Sequence, residues 1–171
     1  AKIIDMVEVI VVGENIALVG HNQYKKDLLD HLNSRILQQD VSMRDISDFN
    51  KVYISFDEYP MSNAITVVTT FRGWILVAPT SQKVESTLTE KEFNQYRVDH
   101  LIPHQGFEIT PEYHPFNCGL HNLVHEAKGC YIGQEILTRM RSRNKTGKAL
   151  HRVEGEQQDA TTTGNTHSLV I

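Results

Sequence analysis

Ile3 to Val12, the first long run, is rich in β-branched residues and alternates in part between polar and apolar positions, which predicts a strand. Gly13-Glu14-Asn15 separates it from Ile16-Ala17-Leu18-Val19, so the two runs predict a hairpin. After Gly20, Asn22 is placed to cap a helix in which Tyr24, Leu28, Leu32 and Ile36 recur every four residues, with Leu29 widening the apolar stripe toward a sheet. Asp40 to Ile46 alternates as a strand with one wet face does, and Val52 to Phe56 predicts another strand.

Ile65 to Thr70 and Trp74 to Ala78 flank Phe71-Arg72-Gly73, a second hairpin closed by Pro79. Phe71 and Trp74 there fit a core better than a ligand platform. Thr89-Glu90-Lys91-Glu92 has the form of a capping box, and the helix it opens should run to about Leu101, before Pro103. His104 to Pro115 is rich in Gly, Pro and polar residues and reads as loop, followed by a short apolar segment around Leu120 to Val124. Ile136, Leu137 and Met140 have helical spacing up to about Arg143, and Asn144 to Gly147 breaks it. Ala149 to Glu154 and His167 to Ile171 predict the first strands of a small β-domain, with the polar stretch Gly155 to Gly164 expected to be mobile between them.

Hairpins with interspersed helices make the class α+β, with antiparallel sheets and packed helices. Neither a repeat nor a coiled-coil pattern runs through the 171 residues, and 40% hydrophobic residues suffice for an ordinary core. With 22% charged residues and a formal net charge of -4, the chain resembles neither a disordered tail nor a strongly basic nucleic-acid module. The charge is uneven, since residues from Gly129 onward carry 6 Lys and Arg against 4 Asp and Glu. Two cysteines, Cys118 and Cys130, are too few for a disulfide scaffold and point to a reducing compartment. No run approaches the roughly 18 apolar residues that span a bilayer, and the N-terminal residues lack a signal-peptide pattern. A cytoplasmic protein without membrane attachment is therefore expected, or a mitochondrial matrix one in a eukaryote.

The chemistry concentrates in Lys128-Gly129-Cys130-Tyr131-Ile132-Gly133-Gln134-Glu135. Two glycines bracket the cysteine and let the backbone bend tightly beside it. A helix starting near Gly133 or Gln134 aims free N–H groups toward Cys130, and Lys128 adds a cation; both favour a thiolate, as a nucleophile, redox thiol or metal ligand requires. Gln134 can read an amide or anion, and Glu135 can accept protons or bond first-turn donors. A small buried cysteine with glycines that merely permit packing fits the same composition.

This octapeptide matches the hallmark Lys-Gly-Cys-Tyr-x-Gly-Gln-Glu of the folate-binding YgfZ-like family, relatives of the glycine cleavage T-protein, and every fixed position is met. Ala1 to Ile10 also resembles the family's strand carrying an acid, here Asp5, and Arg97 to Pro103 resembles its Arg-x-Glu-x-Gly-x-Pro segment. Ile136 to Leu150 resembles the helix and basic turn that lead into its barrel. In the family's pattern a glutamate stands where this chain has Asp99, and a small residue and a glycine stand where it has His100 and Leu101.

The resemblance implies a folate-binding core of aminomethyltransferase type over residues 1–147, lacking an N-terminal strand-helix-strand unit, and the start of a C-terminal β-barrel over 148–171. It implies tetrahydrofolate or a derivative as cofactor. Cys130 and Asp5 would be the reactive residues, and Asp99, Arg97, Tyr131, Gln134, Glu135 and Lys128 would line the cofactor site. It further implies an accessory role in iron-sulfur assembly or repair, with iron-sulfur clients among them radical enzymes that modify tRNA. A folate-dependent aminomethyltransferase of T-protein type is the alternative, although the T-protein lacks the octapeptide.

Bland explanations stand beside these. Asp5 equally suits a strand-end cap or a partner for a surface cation. Cys118, His121, His125 and Cys130 lie within 13 positions, but their spacing fits no closed zinc module, and no metal is expected. Arg139, Arg141, Arg143, Lys145, Lys148 and Arg152 suit a solvated helix end as well as an anion site, such as one for a folate polyglutamate tail. The run lacks interleaved aromatic residues, so direct RNA binding is not expected. Thr146-Gly147-Lys148 is no phosphate loop, because Ser142 replaces its first glycine and Ala149 follows the lysine.

Overall fold

A two-residue turn sets the first hairpin. Gly13 takes φ 60 at the first loop position, so strand β1 (Glu8–Val12) pairs with β2 (Asn15–Val19) in a register that joins Val12 to Asn15 and Glu8 to Val19. The computed structural model that shows this describes residues 2–125, 127–142 and 147–171. The helix break at Asn144, Arg143 and Lys145 of the basic run, Thr146, and Ala1 lie outside these described residues.

By its internal contacts the chain divides into two units. One contains Glu8–Val19 and Leu29–Leu88. In it, β3 (Asn50–Ser55), β4 (Thr66–Thr70) and β5 (Gly73–Pro79) form an antiparallel sheet in the order β3-β5-β4. Ile65, Leu76 and Ala78 are its buried centre, and Trp74 packs there, as expected of a core residue, while Phe71 is exposed. The β4–β5 turn is fastened to β1 by the Arg72 guanidinium, which donates to Glu8 Oε1 at 2.6 Å. Val9 stands opposite Leu18 and Val11 opposite Ile16, and these four side chains are 43–74% exposed, so one face of the β1–β2 ribbon is apolar and open.

The strand expected over Asp40 to Ile46 does not form. Asp45 Oδ1 accepts both the backbone N–H of Ser47 and its hydroxyl, at 2.9 and 2.5 Å, and this local bonding turns the chain into a short 3-10 segment, Ser47–Phe49, instead of a ladder.

The other unit contains the residues up to Val7, Gly20–Leu28 and Thr89–Ile171. The strand expected from Ile3 therefore begins only at Glu8, because Ile3 and Met6 pack on Ile109, Cys118 and Leu120 in this unit. A 3-10 turn, Asn22–Tyr24, leads into α1 (Lys25–Asn33), with Asn22 inside the turn and not capping it. Helix α2 (Glu90–His100) opens on the predicted capping box: Thr89 Oγ1 accepts from the Glu92 N–H, and Glu92 Oε2 accepts from the Thr89 N–H at 2.8 Å. These bonds hold the Glu92 carboxyl below its ordinary pKa.

The end of α2 is unusual. Leu101 adopts φ 55 and ψ 45, Ile102 N–H bonds the Arg97 carbonyl at 2.8 Å and Leu101 N–H the Val98 carbonyl at 3.4 Å, which is the helix termination normally built on glycine. A left-handed leucine costs about 1–2 kcal/mol. Leu101→Gly is expected to raise stability by about 1 kcal/mol, or ~2–4 °C in Tm, after the partly exposed side chain is lost. A thermal melt without an increase would contradict this.

Past α2 the described residues up to Gly133 form no regular element longer than the 3-10 turn His121–Leu123, and α3 (Gln134–Ser142) follows. Strands β6 (His151–Glu154), β7 (Thr162–Thr163) and β8 (His167–Val170) make an antiparallel sheet in the order β6-β8-β7. Val98 of α2 meets Leu150 and Leu169 in its core. The stretch expected to be mobile, Gly155 to Gly164, thus includes a paired strand, and Thr161 N–H bonds the Leu169 carbonyl at 2.8 Å. The architecture is a small α+β fold of antiparallel sheets with a few helices. No helix among the described residues is long and apolar enough to cross a membrane.

Candidate functional site

Asp5 is placed by a glycine. A Cβ on Gly20 would stand 2.5 Å from Asp5 Oδ2, so only glycine lets the carboxylate close on the backbone beyond it. Oδ2 accepts the His21 backbone N–H at 2.8 Å, and Oδ1 accepts the Met6 N–H and His21 Nδ1, both at 2.8 Å. The carboxylate side chain is 0% exposed and that of His21 is 24% exposed. Asp5 therefore reaches outward only through the imidazole. A carboxylate accepts and does not donate, so Nδ1 carries a ring proton, and in the neutral ring Nε2 is the acceptor.

His21 touches the His104 ring edge-on at 5.3 Å between centroids, and His104 in turn meets Phe93 at 5.3 Å and Phe107 at 5.9 Å. The His104 backbone N–H donates to Glu108 Oε2 at 3.0 Å. Glu108 is the centre of a second cluster. Its Oε2 also accepts Arg97 Nη1 at 2.8 Å, and its Oε1 accepts the Thr162 hydroxyl at 2.6 Å. The Thr161 hydroxyl lies 2.6 Å from the same oxygen, and Arg97 Nη2 donates to Thr162 Oγ1 at 2.5 Å. Both side chains of the Arg97–Glu108 pair are 0% exposed. Burial lowers the Arg97 pKa, and the adjacent Glu108 charge and hydrogen bond oppose that shift. The Arg97 guanidinium also stacks over Phe107 at 5.0 Å and Phe93 at 5.8 Å. Arg97 is thus fully engaged inside the fold. Asp99, two residues on, is exposed and accepts Gln95 Nε2 at 2.8 Å, while its carbonyl accepts Arg152 Nη1.

The octapeptide forms a third group, linked to the other two by no hydrogen bond or ion pair among the described residues. Cys130 is exposed, four residues before the start of α3. Gly133 takes φ 84, the bend that needs glycine, whereas a Cβ on Gly129 would meet open space, so only the downstream glycine is conformationally required. Lys128 Nζ stands 4.4 Å from the centroid of the Tyr131 ring. Gln134 opens α3, and Glu135 pairs with Arg139 at 2.6 Å, an exposed contact of small energetic weight.

Cys118 behaves oppositely to Cys130. It is buried, its thiol donates to the Glu108 carbonyl at 3.2 Å, and desolvation with the Glu108 charge pushes its pKa up to about 12. Native protein at pH 8 should therefore take up one equivalent of iodoacetamide, at Cys130, and two only when denatured; two in the native state would refute this. The raised folded pKa has a sign: stability contributed by the protonated thiol is complete below the unfolded value of 9.0 and is lost as pH rises toward about 12. His121 stacks on Phe116 at 4.9 Å and His125 Nδ1 accepts the Ala127 N–H, so these histidines are engaged away from the thiols. Among the described residues no three His, Cys, Asp or Glu side chains are grouped to hold a metal ion.

Sequence reasoning missed His21, His104, Glu108, Thr161 and Thr162. Only the dipeptide Gly20-His21 carried a local signal, a small residue before an imidazole; the others meet through tertiary contacts. No family model, no curated protein and no solved structure matches the chain.

Proposed function

We propose that the chain is a folate-binding accessory protein of YgfZ-like type, acting in iron-sulfur cluster assembly or repair and supporting tRNA-modifying radical enzymes. The observation that carries this is Leu101. The segment from Arg97 to Pro103 resembles a family stretch with glycine at that position, and Leu101 adopts the left-handed conformation for which glycine is used. A left-handed residue here is compatible with a glycine at this position of the family pattern and supports the reading, although this chain carries leucine. The exposed Cys130 beside the bend at Gly133 supports the same reading, since a thiol that meets a cluster or a client must be accessible. A tetrahydrofolate would be held at its pterin end near Asp5 and Asp99, with Cys130 as the redox-active or cluster-contacting thiol.

Titration with tetrahydrofolate tests the binding: saturable affinity weakened by Asp99→Ala is expected, and none for the parent would refute it. Cys130→Ser should lower the activity of cluster-dependent enzymes in cells. Full activity would exclude the repair role, and release of methylenetetrahydrofolate from an aminomethyl donor would establish the transferase instead.

A further inference from the structure

We infer that the β1–β2 ribbon is half of a four-stranded sheet completed by a second copy of this chain, the two β2 strands pairing antiparallel across a two-fold axis at Ala17. This is independent of the folate reading. The ribbon is a two-stranded sheet, and neither strand pairs with a third among the described residues. Two strands are marginal in water, and an apolar sheet gains its stability from three or more. The open face of the ribbon is aliphatic at Val9, Val11, Ile16 and Leu18, which ties it to association.

The backbone selects the register. The Gly13-Glu14 turn closes on Val12 and Asn15, so alternation along the ladder directs the N–H and C=O groups of Ala17 to Ile10, and those of Ile16 and Leu18 to the outer edge of β2. A two-fold axis normal to the sheet at Ala17 sets Ile16 against Leu18 of the second copy, and each such pair exchanges both backbone hydrogen bonds. Ala17 then meets Ala17 of the second copy where facing side chains come closest, and its small methyl fits there. On the open face the same register aligns Val9 and Leu18 with Ile16 and Val11 of the second copy, a row of aliphatic cross-strand neighbours. Charge favours the copy as the occupant. Asn15 to Val19 contains no charged residue, so no like charges oppose each other across the axis, and no charge recruits an acidic or basic strand instead. β1 by contrast carries Glu8. A two-fold pairing also closes on itself, whereas β2 on any other edge of a copy would leave edges that extend into a fibre. The seam is short, five residues from each copy, so the association belongs to the weak, reversible class.

Sedimentation velocity of the intact chain from about 10 µM to about 1 mM tests this, and a reversible monomer–dimer equilibrium is expected within that range. Ile16→Lys puts a charge on the β2 edge, diagonal to its own counterpart across the axis, and should weaken the dimer by about tenfold or more. Val11→Lys makes the same exchange on the same face, at a side chain 74% exposed against 67% for Ile16, but one strand away from the seam, and should leave the dimer in place. Circular dichroism checks that both variants fold. A parent that stays monomeric at about 1 mM, or that assembles beyond the dimer, overturns the inference. So does a dimer that survives Ile16→Lys, or one that Val11→Lys also abolishes, since stacking of the apolar faces would then hold it. NMR on mixed labelled and unlabelled parent reads the register without any substitution: an Hα–Hα contact between Ala17 of the two copies supports the inference, and its absence from a dimeric sample overturns it.

Discussion

Arg97→Met should lower the free energy of unfolding by about 3–5 kcal/mol, measured by denaturant titration. The size follows from what the substitution leaves behind. Methionine nearly fills the volume, but Glu108 loses its cationic partner among the described residues while fully buried, and Thr162 Oγ1 loses the donor that complements its own bond to Glu108. Removing one member of a buried pair strands a charge, whereas removing both need not. The double variant Arg97→Met, Glu108→Leu should accordingly recover part of the loss. A cost under about 1 kcal/mol for the single variant would mean that the pair is solvated in solution.

Gly20→Ala should cost about 3 kcal/mol, although it adds one methyl group to an exposed backbone position. A Cβ there would stand 2.5 Å from Asp5 Oδ2 and 3.0 Å from Val7 Cγ1, so the carboxylate must move. Movement takes it from the His21 N–H and ring, and a buried carboxylate without its donors resembles a broken ion pair. Asp5→Asn in the Gly20→Ala background should then add little, because the two changes remove the same contacts. Additive costs would show that the glycine serves another purpose.

Both predictions fall where local patterns say least. Hairpins at Gly13 and Arg72-Gly73, the capping box at Thr89 and the helix around Leu137 were legible because each depends on neighbours in the chain. Strand Asp40 to Ile46 was misread because its alternation was real but Asp45 had a closer partner in Ser47. His104 to Pro115 reads as loop and lacks regular structure, yet it supplies Gln105, Glu108 and Ile109 to the interior. Composition suggested solvent there, since a glutamate in a polar stretch is usually exposed.

The sequence by itself determined most of the elements, the antiparallel character of the sheets and a glycine bend beside a cysteine. Those depend on backbone preferences and on side chains a few positions apart. Tertiary structure alone decided that Arg97 faces Glu108 inside the fold, that Cys118 is buried and Cys130 exposed, and that Asp5 is bonded to His21. The physical reason is the same in each case: burial sets the strength of a charge and the acidity of a thiol, and burial is created by residues that meet only in the fold, 11 positions apart for Arg97 and Glu108 and 54 for Glu108 and Thr162.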